Sequence, residues 1–228
     1  MQRLAPARAR HDDEDGLILL DEPAGGLNHD EITELGERIK KIRDERKRAP
    51  DKPLKILNLF GYTGLASLLP ATEGAQVTHV DASKKAIGYA RENQALSGLE
   101  DLPIRWICED AAKFVAREVR RGNTYDGIIL DPPKYGRGPK GEVWDLYTSL
   151  PGMLRDLQQL LAPDALFMIL TAYAIRSSFV AIHELMAETL QQQGGLLESG
   201  ELVIREESDA PGGGRALSTS LFSRWSGR

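Results

Sequence analysis

The sequence predicts an α/β domain: an open, doubly wound parallel sheet with helices packed on both faces. Three observations carry that prediction. From residue 53 onward, strand-like and helix-like patterns alternate through seven strand patterns. The first apolar run, Leu54 to Phe60, stops at a two-glycine turn, Gly61-Tyr62-Thr63-Gly64, and the helical stretch Leu65 to Leu69 follows at once. Four of the strand patterns end in a loop or carboxylate suited to ligand binding, and in such sheets ligands bind outside the carboxyl ends of the strands.

Bulk properties narrow the classes. At 228 residues the chain is large enough for one domain with a sizeable core. It has no apolar stretch of transmembrane length and no signal-peptide h-region, which predicts a cytoplasmic protein with no membrane partner. A single cysteine, Cys108, excludes a disulfide framework, and no His, Cys or carboxylate spacing suggests a metal. The net charge of −5 argues against a surface coated with nucleic acid. Charge is uneven, however: residues 12 to 15 are all acidic, residues 38 to 55 hold nine Lys or Arg, and a second basic group runs from Lys113 to Lys140. Solvated helix faces account for each basic cluster.

Residues 1–50 read as an N-terminal extension and 51–228 as the main domain. The first 15 residues lack apolar periodicity, which predicts disorder. Leu17 to Leu20 can form a short strand, and a helix begins near Asn28, spaced from Glu31 as a capping box. Ile32, Leu35, Ile39 and Ile42 share one face of it. Pro50 and Pro53 end it.

In the main domain, Gln76–Asp81 is the second strand. Ser83 caps a helix running to about Ser97, before Gly98. Ile104–Cys108 is the third strand, with Cys108 buried as an apolar residue, and Ala111–Arg121 a helix. Tyr125–Leu130 is the fourth strand. A polar loop follows, then a helical pattern over Trp144–Leu161. Ala165–Thr171 is the fifth strand and Ser178–Gln193 a helix. Leu196–Ile204 and Ser218–Trp225 are the last strands, joined by a flexible loop at Asp209–Gly214. Pro70 should kink or shorten the first crossover helix. His79 reads as strand packing, and His183 as helix surface or core.

The glycine loop excludes one ligand class. A dinucleotide fingerprint needs glycine at its first and third positions and glycine or alanine at its sixth. Counting from Gly61, the third is Thr63 and the sixth Ala66. The missing glycine is the one that admits a pyrophosphate, so the loop suits a nucleoside without one. Asp81, at the end of the second strand, can accept from both hydroxyls of a ribose or cap the next helix. After the third strand, Glu109 and Asp110 point to opposite sides. Asp110 can accept from an adenine amine or act as an N-cap. The sharpest signal is Asp131-Pro132-Pro133-Lys134-Tyr135-Gly136-Arg137. Two prolines fix φ and remove two donors, holding a stiff backbone at the mouth of the sheet. Asp131 is preset there to meet a ligand or substrate, Tyr135 can stack on a planar base, and Lys134 and Arg137 can meet phosphate.

Four motifs in order, Asn58-Leu59-Phe60-Gly61-Tyr62-Thr63-Gly64, Val80-Asp81-Ala82-Ser83, Glu109-Asp110 and Asp131-Pro132-Pro133-Lys134, resemble those of class I S-adenosylmethionine-dependent methyltransferases. More narrowly, the chain is similar to the group containing the large-subunit ribosomal RNA cytosine-C5 and guanine-N7 methyltransferases, from about residue 53 to the C-terminus. The resemblance implies a Rossmann-like, mostly parallel seven-stranded sheet with its last strand antiparallel, and S-adenosylmethionine as cofactor. It implies that Phe60, Gly61, Tyr62, Thr63 and Gly64 hold the methionine part, Asp81 the ribose and Asp110 the adenine amine. Asn58, Ala82, Ser83 and Ala111 complete the cofactor set. Asp131 then stands near the methyl group, with Pro132, Lys134 and Tyr135 toward the acceptor.

Two departures from the group matter. Its cytosine-C5 members carry a nucleophilic cysteine just after the fifth strand, where this chain has Thr171-Ala172-Tyr173-Ala174. Ring carbon C5 needs covalent activation, so that route lacks its usual part, whereas guanine N7 exposes a lone pair. The group also shares an N-terminal RNA-binding domain, and some 50 residues before the first strand are too few for one. The expected activity is methylation of a ribosomal RNA base by a route without a cysteine. The alternatives are a small-molecule or protein acceptor, and a non-catalytic module that binds cofactor and helps an assembly fold.

Overall fold

A computed structural model describes residues 53–138, 140–173, 175–206 and 214–227. The expectations for residues 1–52, including the acidic run and the amphipathic helix, lie outside the described residues, as does most of the Asp209–Gly214 loop. Among the described residues nine strands, five α-helices and a 3-10 turn follow one another: β1 Lys55–Leu59, α1 Leu65–Thr72, β2 Gln76–Asp81, α2 Lys84–Leu96, β3 Ile104–Cys108, α3 Ala111–Arg121, β4 Gly127–Leu130, β5 Tyr135–Arg137, β6 Val143–Asp145, α4 Leu146–Gln159, β7 Phe167–Ala172, α5 Phe179–Leu190, β8 Leu196–Arg205 and β9 Ala216–Ser226, with the turn at Gln191–Gln193. The helices described are thus α1 to α5 plus that turn.

Seven strands form one sheet in the order β3-β2-β1-β4-β7-β9-β8. The first five of these run parallel, and β9 pairs antiparallel with both β7 and β8. Strand β1 lies between β2 and β4, so its apolar run is covered on both faces. Alternation splits the core accordingly. Leu57, Leu59, Ile128 and Leu130 pack with Phe114 of α3 and Leu154 and Leu157 of α4. On the other face Ile56, Val77, Ile129 and Phe167 pack with Ala71 of α1. Each fully buried leucine of this kind contributes about 1.5–3 kcal/mol.

Caps set the helix starts. Ser83 accepts from the Ala86 amide at 3.2 Å, and Ser178 from Val180 at 3.2 Å. Helix α1 keeps Pro70 inside its last turn and ends two residues later, short as expected.

Two expectations are corrected. The polar stretch after β4 is a hairpin, in which β5 and β6 pair Tyr135 with Asp145 and Arg137 with Val143. Trp144 belongs to β6, not to a helix. Helix α4 starts at Leu146, where Asp145 caps the Thr148 amide at 3.1 Å. Cys108 is exposed rather than buried, because β3 is an edge strand and none of the described residues covers its end.

Chain direction away from β1 reverses between β1 and β4: β2 and β3 lie on one side, β4 and β7 on the other. That switch point opens a crevice at the carboxyl ends, between the loop after β1 and the Asp131 stretch after β4.

Candidate active site

A cleft of about 530 Å³ occupies that crevice. Phe60 and Tyr62 line it from the loop after β1, Asp81, Ala82 and Ser83 from the end of β2, and Asp110 and Ala111 from the start of α3. The opposite wall is Asp131 and Pro133 after β4, Gly136, Arg137, Gly138 and Trp144 of the hairpin, and Tyr173 after β7.

The loop is built under strain. Phe60 and Tyr62 have φ of 56° and 45°, a region costing non-glycine residues of order 1–3 kcal/mol each. Surrounding bonds hold them there. The Gly61 amide donates to the Val80 carbonyl at 3.2 Å, and the Tyr62 amide to Asp81 Oδ2 at 3.0 Å. Asn93 Nδ2 donates to the Thr63 carbonyl at 3.0 Å. Gly64, with φ of 93°, opens α1 in the left-handed conformation that glycine adopts without strain.

Three carboxylates face the cleft. Burial pushes the Asp81 carboxyl up, while the Ser83 and Tyr62 amides pull it down. Asp81 thereby ties the loop to β2 and presents its carboxyl group to the cavity. Asp110 caps α3 by accepting from the Lys113 amide at 3.0 Å, as one of its two sequence readings has it, and it also lines the cleft. Burial also pushes Asp131 up, opposed by the Thr171 hydroxyl, which donates at 2.6 Å. Neighbouring Glu109 turns away to pair with Arg117.

The far wall is tied to the Asp-Pro-Pro stretch. Trp144 Nε1 donates to the Pro133 carbonyl at 2.7 Å, and the Leu146 amide to the Lys134 carbonyl at 2.9 Å. The Trp144 ring meets Phe60 across the cleft with centroids 4.9 Å apart and planes at 56°. Lys113 of α3 pairs with Glu142 in the turn that joins the hairpin's two strands.

The sequence-named residues divide. Phe60, Tyr62, Asp81, Ala82, Ser83, Asp110, Ala111 and Asp131 line the cleft. Asn58, Gly61, Thr63 and Gly64 are not among the residues that line it. Pro132 is buried, and Lys134 and Tyr135 are exposed and are not among the lining residues. Trp144, Tyr173 and Thr171 were missed. Trp144 was readable from the cap: Asp145 spaced three before Thr148 marks a helix start and leaves the tryptophan outside. Thr171 and Tyr173 carry no sequence signal.

No family model matches the chain. A solved structure of an S-adenosylmethionine-dependent methyltransferase from Agrobacterium tumefaciens is 59% identical, with a TM-score of 0.79 over 86% of this chain and 62% of that one. The domain has the class I methyltransferase fold. Among curated relatives, the chain is 36% identical over 126 residues to ribosomal RNA large subunit methyltransferase K/L of Shewanella frigidimarina, covering 54% of this chain and 17% of that protein. It is 34% identical over 123 residues to ribosomal RNA large subunit methyltransferase I of Klebsiella pneumoniae, covering 54% and 30%. The chain thus spans less than a third of the length of these methyltransferases. A further methyltransferase, solved with S-adenosylhomocysteine, shares the fold at a TM-score of 0.55 and 21% identity. Among the described residues of this methyltransferase fold, no helix is long and apolar enough to cross a membrane, and no three His, Cys, Asp or Glu gather as a metal site.

Proposed function

We propose that this domain transfers a methyl group from S-adenosylmethionine to a base of ribosomal RNA, in the cytoplasm. One observation carries the reading: the Asp131-Pro132-Pro133 stretch faces the Asp81-tethered loop across a single cleft at the switch point of the sheet. The names of the relatives supply the acceptor class.

The residues present fit the cofactor. Asp81, at the rim, accepts hydroxyl donors such as a ribose diol. Asp110 keeps one carboxylate oxygen for an adenine amine, the other being engaged in the cap. The loop from Phe60 to Gly64, next to Asn58, leaves the methionine side. When bound, the cofactor supplies an electrophilic methyl group. The protein's part is alignment and electrostatics. Asp131 orients the acceptor, held by Thr171. Phe60, Trp144 and Tyr173 provide aromatic surface for a planar ring, and a base in a duplex must be extruded to reach them. Pro132 stiffens the stretch from within. Tyr135, Lys134 and Arg137 stand at the mouth, where they meet flanking nucleotides and phosphates.

A cysteine-dependent C5 route has no support. Thr171 and Ala172 end the fifth parallel strand, Tyr173 follows it, and Cys108 lies on β3 with its sulfur 3.8 Å from the Ala82 carbonyl. The net charge of −5 favours a second reading, a small-molecule or protein acceptor. Transfer of radiolabelled methyl to total RNA, to a protein extract and to a metabolite extract in parallel separates the two. Label in large-subunit ribosomal RNA supports the first reading, and label only in protein or metabolites the second. A cell-based assay in which Asp131→Ala keeps full function would overturn both in favour of a non-catalytic assembly module.

A further inference from the structure

A row of three side chains runs across the sheet beneath the loop. Register places Asn58 of β1 beside His79 of β2, and His79 beside Trp106 of β3. All three lie on one face, under α1 and α2. His79 has no exposed surface. Its ring packs tilted against Trp106, with centroids 4.6 Å apart and planes at 58°. Its Nδ1 is 2.9 Å from the Ser67 hydroxyl of α1, which also accepts from Asn58 Nδ2 at 2.8 Å. Trp106 Nε1 donates to Gln94 of α2 at 3.0 Å.

Both glycines of the loop rest on this row. A Cβ on Gly61 would fall 2.4 Å from His79 Cε1 and 2.5 Å from its Nδ1. A Cβ on Gly64 would fall 3.0 Å from the Ala90 Cβ and 3.1 Å from the Trp106 ring. On either side of Gly61, Phe60 and Tyr62 hold their strained dihedrals. A polar ring so placed is an odd choice for packing alone. His79 Nε2 is buried without a hydrogen-bond partner among the described residues, and an orphaned buried nitrogen costs of order 1–3 kcal/mol. An apolar residue would avoid that cost. Burial pushes the imidazole down to about 3, so it stays neutral and puts no charge behind the loop.

We infer that His79 is a positioning residue for the cofactor loop: its imidazole, wedged between Asn58 and Trp106 and joined to α1 through Ser67, presets Phe60–Gly64 in the conformation that receives S-adenosylmethionine. This rests on the methyltransferase reading. The ring excludes a side chain at Gly61 and so fixes how closely the loop approaches β2. The Ser67 bridge couples the same ring to the first turns of α1, whose N-terminus begins at that loop. His79 itself does not line the cleft.

The test measures binding rather than turnover. S-adenosylhomocysteine is titrated calorimetrically into the wild type, His79→Ala, Ser67→Ala, Gly61→Ala and the Gly61→Ala/His79→Ala double variant, and ligand-free melting is recorded for each. A loop found in the receiving form only about a tenth of the time binds roughly tenfold more weakly, and that is the loss expected for His79→Ala. Gly61→Ala should lose at least as much, and the double variant should recover affinity relative to Gly61→Ala, because removing the ring makes room for the new methyl group. Ser67→Ala, which changes little volume, should weaken binding without failing to fold. A purely structural His79 lowers the melting temperature but leaves the affinity of the folded protein alone. His79→Ala or Ser67→Ala within twofold of wild-type affinity, or a double variant no better than Gly61→Ala, overturns the inference. A wild type that takes up no S-adenosylhomocysteine overturns the methyltransferase reading and this inference with it.

Discussion

The Thr171 hydroxyl donates to Asp131 at 2.6 Å across 40 positions of sequence. Parallel pairing makes this contact. Leu130 of β4 lies in register with Leu170 of β7, so the next residue of each strand falls side by side at the carboxyl edge. Thr171 thereby orients the carboxylate that faces the cleft. Replacing it with valine keeps the shape and removes the donor. Hydrogen bonds to charged groups contribute about 1.5–3 kcal/mol, so Thr171→Val should lower kcat by about ten- to a hundredfold while S-adenosylhomocysteine affinity, measured by calorimetry, stays near wild type. Unchanged turnover would remove Thr171 from the site.

Asp131→Asn separates function from stability. Burial raises the Asp131 pKa in the fold, so folding favours its protonated form. Stability from this group is therefore complete below the ordinary carboxylate value and declines as pH rises through the raised one. Asparagine has no charge to bury. The variant should melt at or above the wild type at neutral pH, with the difference shrinking in acid, while methyl transfer falls by about 10²- to 10⁴-fold. Melting below the wild type at neutral pH would mark Asp131 as a structural residue.

Asp81→Ala removes the acceptor for both the Tyr62 and Ser83 amides. Cofactor affinity should drop by about 1–3 kcal/mol, the size of a lost charge-assisted hydrogen bond. Ligand-free melting should fall by less. An equal loss in both would leave Asp81 a tether of the loop and no ribose ligand.

Trp144→Phe keeps a ring against Phe60 and deletes the donor to the Pro133 carbonyl. The expected cost to stability is about 1 kcal/mol, read by denaturant unfolding. Because that bond ties the hairpin to the Asp-Pro-Pro stretch, the acceptor KM should rise more than the cofactor KM. Equal changes in the two would mean the hairpin only packs.

Much of the fold was legible in local patterns. β2 and β3 begin and end where alternation and their flanking turns put them, and Ser83, Asp110 and Ser178 cap the helices that their spacing marks. The β5–β6 hairpin was not legible. Its strands are three residues each, too short for alternation, and glycines, charges and a proline between them look like an ordinary loop. Cys108 misled for another reason: a free cysteine is usually buried as a small apolar residue, and only the strand order puts β3 at an edge.

The sequence by itself determined most of the elements, their caps, the glycine loop and the carboxylates at the strand ends, because these depend on residues within a turn or two of one another. Tertiary structure alone decided which of those groups meet. Strand order brought Asp131 opposite Asp81. Register set Thr171 beside Asp131 and seated His79 between Asn58 and Trp106. Such contacts join residues far apart in the chain, and no local period encodes them: they arise when burying both faces of one sheet fixes which strands are neighbours and how far each runs.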